Sequence, residues 1–438
     1  MAAAAVGERP FRVATLGNGL RVVVAPQPQL HRAHVALYVR VGSRFETPPT
    51  NGLSHFLEHM LYRGTPKLKT AHEVNHAFES LGGYLYAATQ TDFGVFSVTA
   101  PRESIAESTR LFGEVLAQPT FNDIEIEKGI VCEEILEDLD DDGRQVDADN
   151  LSRMMIYPTH PLGYTITGDE KRVRSFNQSM LRSHHARHYN AANSVLAFSG
   201  AVDANECVDL AERWFSGLPA GTPVTTETPV HDQKKPRLDI VENVSSQTEL
   251  RVCFRAVPER SEHRPAMDML MRILDDGMST RLYHRICDSK GLCYDVGASF
   301  DGYEDDGVLD FMAGVQHART SVVTREILDL LCELATVGPS EREVAKAHRR
   351  NAWEMQNIFD SPEELAGFYA GGLLFERFET PEARLAANAQ VTPKRLREMA
   401  ALLAQPDRLN VLAVGLLEDG EDKRLEAVVK GFKGAHAK

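Results

Sequence analysis

Residues 55–59 read His55-Phe56-Leu57-Glu58-His59. On a helix, two histidines four positions apart share a face, and Glu58 lies beside them. Imidazole nitrogen is a good ligand for a borderline cation such as Zn²⁺. The carboxylate, too far round the helix to ligate comfortably, is placed instead to hold and deprotonate a water activated by that cation. Flanking residues bound the helix. Asn51-Gly52-Leu53-Ser54 supplies a turn and a hydroxyl cap. Phe56, Leu57, Met60 and Leu61 give an apolar face, and Gly64-Thr65-Pro66 ends the helix.

Two imidazoles leave a catalytic zinc under-coordinated, so a third ligand is expected. The best candidates lie in Glu127-Lys128-Gly129-Ile130-Val131-Cys132-Glu133-Glu134, where Glu127 and Glu134, seven apart, share one helix face. Glu133 points about 100° away from Glu134 round the helix, so the two cannot face one metal. The order His-x-x-Glu-His reverses the commoner His-Glu-x-x-His and marks an inverzincin. On these residues the chain resembles the pitrilysin/insulinase family of zinc peptidases, which includes the mitochondrial processing peptidases. The resemblance implies one Zn²⁺ per chain held by His55, His59 and Glu134, with Glu127 as a supporting carboxylate and Glu58 as general base.

The likeness extends along the chain. Asn18-Gly19-Leu20-Arg21 is similar to the family's opening hairpin, Gly42-Ser43-Arg44-Phe45-Glu46 to its approach to the metal helix, and His160-Pro161-Leu162-Gly163 to a later turn. Gly82-Gly83-Tyr84-Leu85-Tyr86-Ala87-Ala88-Thr89 resembles the strand that takes extended substrate by sheet addition, which implies substrate contacts at Tyr86, Ala87 and Thr89. The family usually has Asn where Tyr86 stands. In the second half, Ser279-Thr280-Arg281-Leu282-Tyr283 and Lys290-Gly291-Leu292-Cys293-Tyr294 match more loosely. Members that work alone carry an Arg seven residues before a Tyr there, the pair holding the substrate carbonyl and its developing oxyanion. Tyr294 is present as the expected catalytic Tyr, but the partner position is Cys287. Cysteine supplies neither fixed positive charge nor a fork of donors, and Arg281 and Arg285 sit at the wrong helical phase to replace it.

With 438 residues, 43% hydrophobic and 25% charged, the chain is sized for two to three domains of ordinary soluble composition. A net charge of −15 argues against a nucleic-acid partner held by phosphate neutralisation. No apolar run reaches the roughly 18–20 residues that a membrane-spanning helix needs. The stretch 1–10 lacks a basic segment and a long apolar core, so a cytoplasmic location is expected. Six scattered cysteines show no CxxC spacing and read as free thiols. His184 and His188 also stand four apart, but no acid lies between them and Arg182 and Arg187 flank them. That cluster reads as a structural helix face.

Residues 221–236, rich in Pro and Thr, read as a linker between a zinc-bearing domain, 1–220, and a second domain, 237–438, with the partial patch around Tyr294. The halves rhyme: a β-rich run (20–25; 249–254), an apolar-periodic helix (53–62; 266–274), then a Gly-led strand pair (82–99; 291–315). Helical patterns come next at 105–117, 124–140 and 178–188, and at 320–335, 341–356, 362–373 and 393–403. The expected fold is therefore α+β, a duplicated unit. Family resemblance implies that each half is a mostly antiparallel sheet with helices on one face, and that two chains close like a clam around a chamber. It further implies a peptide substrate and a dimer: either two copies, or a heterodimer of bacterial type in which this chain bears the metal and a paralogue supplies the Arg-Tyr patch. The competing readings are a non-catalytic structural or targeting subunit of the same family and a maturase dedicated to one precursor peptide.

Overall fold

The computed structural model describes residues 11–435, so the stretch 1–10, read as carrying no secretory signal, lies outside them. Two compact units emerge, each around its own sheet. The strands are β1 (Arg12–Thr15), β2 (Arg21–Pro26), β3 (Arg32–Val39), β4 (Tyr84–Thr89), β5 (Gly94–Pro101) and β6 (Ser194–Gly200) in the first. The second holds β7 (Arg237–Val241), β8 (Thr248–Arg255), β9 (Cys293–Gly302), β10 (Gly307–Val315) and β11 (Leu409–Val414).

The sheet orders are β1-β2-β6-β3-β5-β4 and β7-β11-β8-β10-β9. Setting β1 aside, the two are the same diagram. In each, the first two neighbours pair parallel (β2 with β6, β7 with β11) and every later pair is antiparallel. This matched topology supports the duplication that sequence patterning pointed to, with one correction. The run 20–25 is β2, whose topological counterpart is β7, whereas 249–254 is β8, the counterpart of β3. Strand β7 is only half-buried and its apolar signal is weak, so sequence pattern passed over it.

Four helices of the first unit matter for the site: α1 (Leu53–Leu61), α2 (Ala71–Glu79), α3 (Ile105–Ala117) and α4 (Ile124–Leu136). Helix α4 stops four residues short of the expected 140. The acidic run beyond it forms a turn, in which Asp140 accepts from the backbone N–H groups of Asp142 and Arg144.

Strand β6 is buried at every residue, so both faces of the first sheet are covered. On one face Val23, Ala25, Val195 and Ala197 pack with Leu365, Ala366, Tyr369 and Ala370 of the helix Pro362–Leu374. The second sheet shows the same device. Leu412 and Val414 of β11 pack with Ala148 and Leu151 of the helix Ala148–Ile156. Each covering helix comes from the other half of the chain, so the units are not the uninterrupted stretches 1–220 and 237–438. Residues 138–163 belong to the second unit and residues 355–382 to the first, while the main crossover falls between Thr226 and Glu227. Helices on one face only were expected. Continuous apolar runs such as Val22-Val23-Val24 and Val411-Leu412-Ala413-Val414 demand cover on both faces, and the exchanged helices provide it.

Among the described residues no helix is long and apolar enough to cross a membrane. If the helix Pro362–Leu374 seals the first sheet, Leu365→Ala removes a fully packed side chain. It should lower stability by about 2–5 kcal/mol, read as a shifted urea midpoint, and an unchanged midpoint would mean that the helix is not part of that core.

Candidate metal centre

Helix α1 begins at a Gly52 cap in left-handed backbone (φ 92°), with no side-chain cap of its own. The hydroxyl cap expected from this turn is therefore absent. The cap is instead the buried carboxylate of Glu46, which accepts from the backbone N–H groups of Gly52 (2.8 Å) and Ser54 (2.6 Å) and from the Asn51 side-chain amide. Burial raises the pKa of Glu46, against the pull of these donors. The Ser54 hydroxyl lies inside the first turn and pairs with His184 Nε2 at 3.0 Å. His188 Nδ1 meets the carbonyl of Arg40 and His185 Nε2 that of Leu116. The second histidine cluster is thus spent on packing and on fixing the start of α1.

On α1, His55 and His59 stand ring to ring, 4.7 Å between centroids. Helix α4 brings Glu134 to them. His55 Nε2 lies 3.4 Å from Glu134 Oε1, and His59 Nε2 lies 3.7 Å from Glu134 Oε2. Among the described residues this is the one group of three or more His, Cys, Asp or Glu side chains placed to hold a metal ion, with donor atoms all within 4.8 Å of one another. Donors around a tetrahedral ion at ~2.0–2.1 Å stand roughly 3.4 Å apart. The two separations, 3.4 and 3.7 Å, are near that value and are long for His–carboxylate hydrogen bonds. Glu133, one residue earlier, is exposed.

The ring orientation of His59 is fixed from behind. Glu127, buried on α4, accepts from His59 Nδ1 at 2.7 Å and also binds the Arg63 guanidinium. This leaves His59 Nε2 as the lone-pair nitrogen facing Glu134, the arrangement common to metal-binding histidines. Burial works against charge on both partners. The pair still holds Glu127 below the usual carboxylate range, and His59 is raised by Glu127, Glu58 and Glu134 together. His55 is different. Burial and the adjacent His59 push it down to about 3, so it is neutral at physiological pH, the form that binds metal. Its Nδ1 has no hydrogen-bond partner among the described residues.

Glu58 lies on the same helix between the two histidines. Burial raises its pKa, aided by Glu134 and opposed by the hydroxyl of Thr89, which donates to Glu58 Oε2. Thr89, predicted as a substrate contact, is buried and turned to this carboxylate. Tyr86 and Ala87 lie on β4, the edge strand of the first sheet, where Tyr86 is 54% exposed and Ala87 half-buried.

Tyr294 belongs to the second unit, on its edge strand β9, and is 92% exposed. Cys287 lies in a five-residue π-type turn, His284–Asp288. Neither nearby arginine stands in for the absent guanidinium. Arg281 grips Glu343 with two nitrogens (2.5 and 2.9 Å) and also meets Glu333, while Arg285 pairs with Glu326 (2.7 Å) and Glu333 (3.0 Å).

Sequence reading missed Glu46, Arg63 and the Thr89–Glu58 bond. Arg63 had only a weak signal, since it comes four positions after His59 but lies just beyond the end of α1 at Leu61. Glu46 and Thr89 reach the site only through tertiary folding. Losing the carboxylate that orients a metal-binding histidine typically costs 10–100-fold in metal affinity. Glu127→Ala should therefore weaken zinc binding by about that factor in competition with a chromophoric chelator, and wild-type affinity would show that His59 needs no such support.

Residues 21–170 match the family described as Insulinase (Peptidase family M16), and residues 175–351 the one described as Peptidase M16 inactive domain. An uncharacterized zinc protease of Mycobacterium tuberculosis (strain ATCC 25618 / H37Rv) is 30% identical over 401 residues, covering 89% of this chain and 90% of the relative. The uncharacterized zinc protease YmxG of Bacillus subtilis is 30% identical over 336 residues, 75% of this chain and 80% of the relative. Among solved structures, a protease from Helicobacter pylori has a TM-score of 0.86 at 20% identity, covering 93% of this chain and 100% of its own. The first half of the periplasmic protease PqqL from Escherichia coli has a TM-score of 0.77 at 20% identity, covering 98% of each chain. These likenesses show the two-sheet fold, and the sequence relatives show the kinship: the chain belongs to the insulinase family, peptidase family M16.

Proposed function

We propose that this chain is a zinc-dependent endopeptidase acting on peptides or short unfolded segments, with one Zn²⁺ held by His55, His59 and Glu134. The observation that carries the reading is the convergence of those three donors at ligand rather than hydrogen-bond spacing, with Glu58 on the same helix between the histidines. Zinc bound there supplies Lewis acidity, polarising a carbonyl and lowering the pKa of a water towards ~7.

The remaining chemistry falls to the chain. Thr89 holds Glu58 Oε2, which leaves Oε1 to take a proton from the attacking water and return it to the leaving amine nitrogen. Glu127 keeps His59 in the Nδ1–H tautomer. The open edge of β4, with Tyr86 exposed, is a surface on which an extended peptide adds as a further strand, recognised through its backbone.

The second half supports a division of labour. It carries Tyr294, while the two arginines that precede Cys287, Arg281 and Arg285, are committed to Glu343, Glu326 and Glu333. Its match to a family described as inactive is consistent with a chain whose metal chemistry lies wholly in the first half. In our reading this is the metal-bearing member of a pair that closes around a chamber. A paralogue supplies the Arg-Tyr patch, and a dimer of identical chains is the weaker form. The location is cytoplasmic in this reading, in keeping with six free thiols.

Glu58→Gln should keep a full zinc complement and lower kcat by about 10²–10⁴-fold. Retained turnover with zinc bound would remove Glu58 from the mechanism. The pure chain should cleave a mixed peptide library poorly and gain activity from Cys287→Arg or from the paralogue. Vigorous cleavage by the unmodified chain, unimproved by either, would contradict the pairing.

A further inference from the structure

The segment that departs from family pattern at Cys287 carries a second cysteine in reach. Cys287 lies in the turn His284–Asp288, and Cys293 opens β9. The loop between them folds back on the turn: Gly291 N–H donates to the Cys287 carbonyl at 3.0 Å and Leu292 N–H to that of Ile286 at 2.9 Å, with Gly291 in left-handed backbone (φ 56°). The two Sγ atoms are 3.7 Å apart, and both side chains are partly exposed. A disulfide needs Sγ atoms at ~2.05 Å, so the two sulfurs already stand in contact but are not bonded. Cys132, Cys207 and Cys253 are buried.

Beyond Cys293 the edge strand departs from regular pairing. Cys293 faces Val315 on β10 and Val296 faces Ala313, so Tyr294 and Asp295 together oppose the single residue Gly314. This is a β-bulge on an edge strand, and it turns both residues to solvent. Bulges re-aim side chains, and Cys293 is the residue on which this one hinges.

We propose that Cys287 and Cys293 are a redox-active dithiol, oxidised to an intramolecular disulfide by a small-molecule disulfide of the glutathione class, and that the bond clamps the Tyr294 bulge to the turn. In the first step the Cys287 thiolate attacks one sulfur of oxidised glutathione, breaking its S–S bond, forming a mixed disulfide and releasing one glutathione thiolate. The Cys293 thiolate then attacks the Cys287 sulfur and releases the second. The two cysteine protons end on two glutathione thiols, so two protein thiols are oxidised as one glutathione disulfide is reduced. Cys287 is the natural attacker. Burial raises both thiols, but the contact with Cys293 opposes the rise at Cys287, whereas burial and Cys287 itself push Cys293 up to about 12.

The inference is independent of peptidase activity, and so is its test. The whole purified chain is incubated with millimolar oxidised glutathione, alkylated, and digested with trypsin. Cleavage after Lys290, between the cysteines, makes the disulfide visible as two cross-linked peptides on non-reducing mass spectrometry. The expected result is a 287–293 cross-link that dithiothreitol reverses, while Cys293→Ser stops at a glutathione adduct on Cys287. Amide hydrogen exchange over residues 293–296 should slow severalfold on oxidation. Two separate adducts, or two alkylated thiols, would overturn the dithiol, and a cross-link that leaves exchange unchanged would overturn the clamp.

Discussion

One buried carboxylate holds the candidate centre together. Glu127 on α4 binds His59 and Arg63 of the α1 region at once, and so joins the two helices that carry the proposed ligands. With that bridge in place, Glu134, two turns further along α4, lies level with His55 and His59. A second buried carboxylate, Glu46, fixes the other end of α1 through the backbone N–H groups of its first turn. Helix α1 is thus pinned at both ends by acids that are not among the three candidate ligands. Buried charge of this kind is tolerated only when fully paired, and each of these carboxylates meets two or more donors.

The same economy of placement runs through the fold. Each unit repeats a parallel pair with antiparallel neighbours after it, and the metal group and Tyr294 occupy different copies. Each unit ends its sheet on an edge strand at the matching position, β4 in one and β9 in the other. In the first copy α1 and α4 carry the metal group. In the second, β9 carries the bulge at Tyr294. The candidate ligands thus sit on helices of one unit, and Tyr294 on the edge strand of the other.

The helices 105–117, 178–188 and 393–403 are legible to the residue for different reasons: the first and third have a clear apolar period, while the largely polar second is marked by its Asn177 cap and the third also by Thr392 with Pro393 at its start. The metal group was legible for another reason, since its spacing is chemical rather than structural. Indeed α4 defies burial patterning: Glu127 and Lys128 are buried while Ile126, Ile130 and Leu136 are exposed. Local rules break where a site imposes its own demands. What sequence could not show was tertiary. The exchanged helices Ala148–Ile156 and Pro362–Leu374 are set by which sheet face lacks cover, and nothing local to either helix says which sheet that is. Thr89 lies on the strand that resembles the family's substrate strand, and its alternation on β4 turns the hydroxyl towards Glu58.

The central claim is that two imidazoles and one carboxylate from α1 and α4 form a zinc centre. X-ray absorption at the zinc edge, on protein whose metal content has been measured by elemental analysis, tests it most directly. The account predicts about one zinc per chain with a nitrogen and oxygen shell at ~2.0–2.1 Å, two scatterers of it imidazole, and no sulfur. Negligible zinc after purification with zinc present, or a sulfur shell at ~2.3 Å, would contradict it.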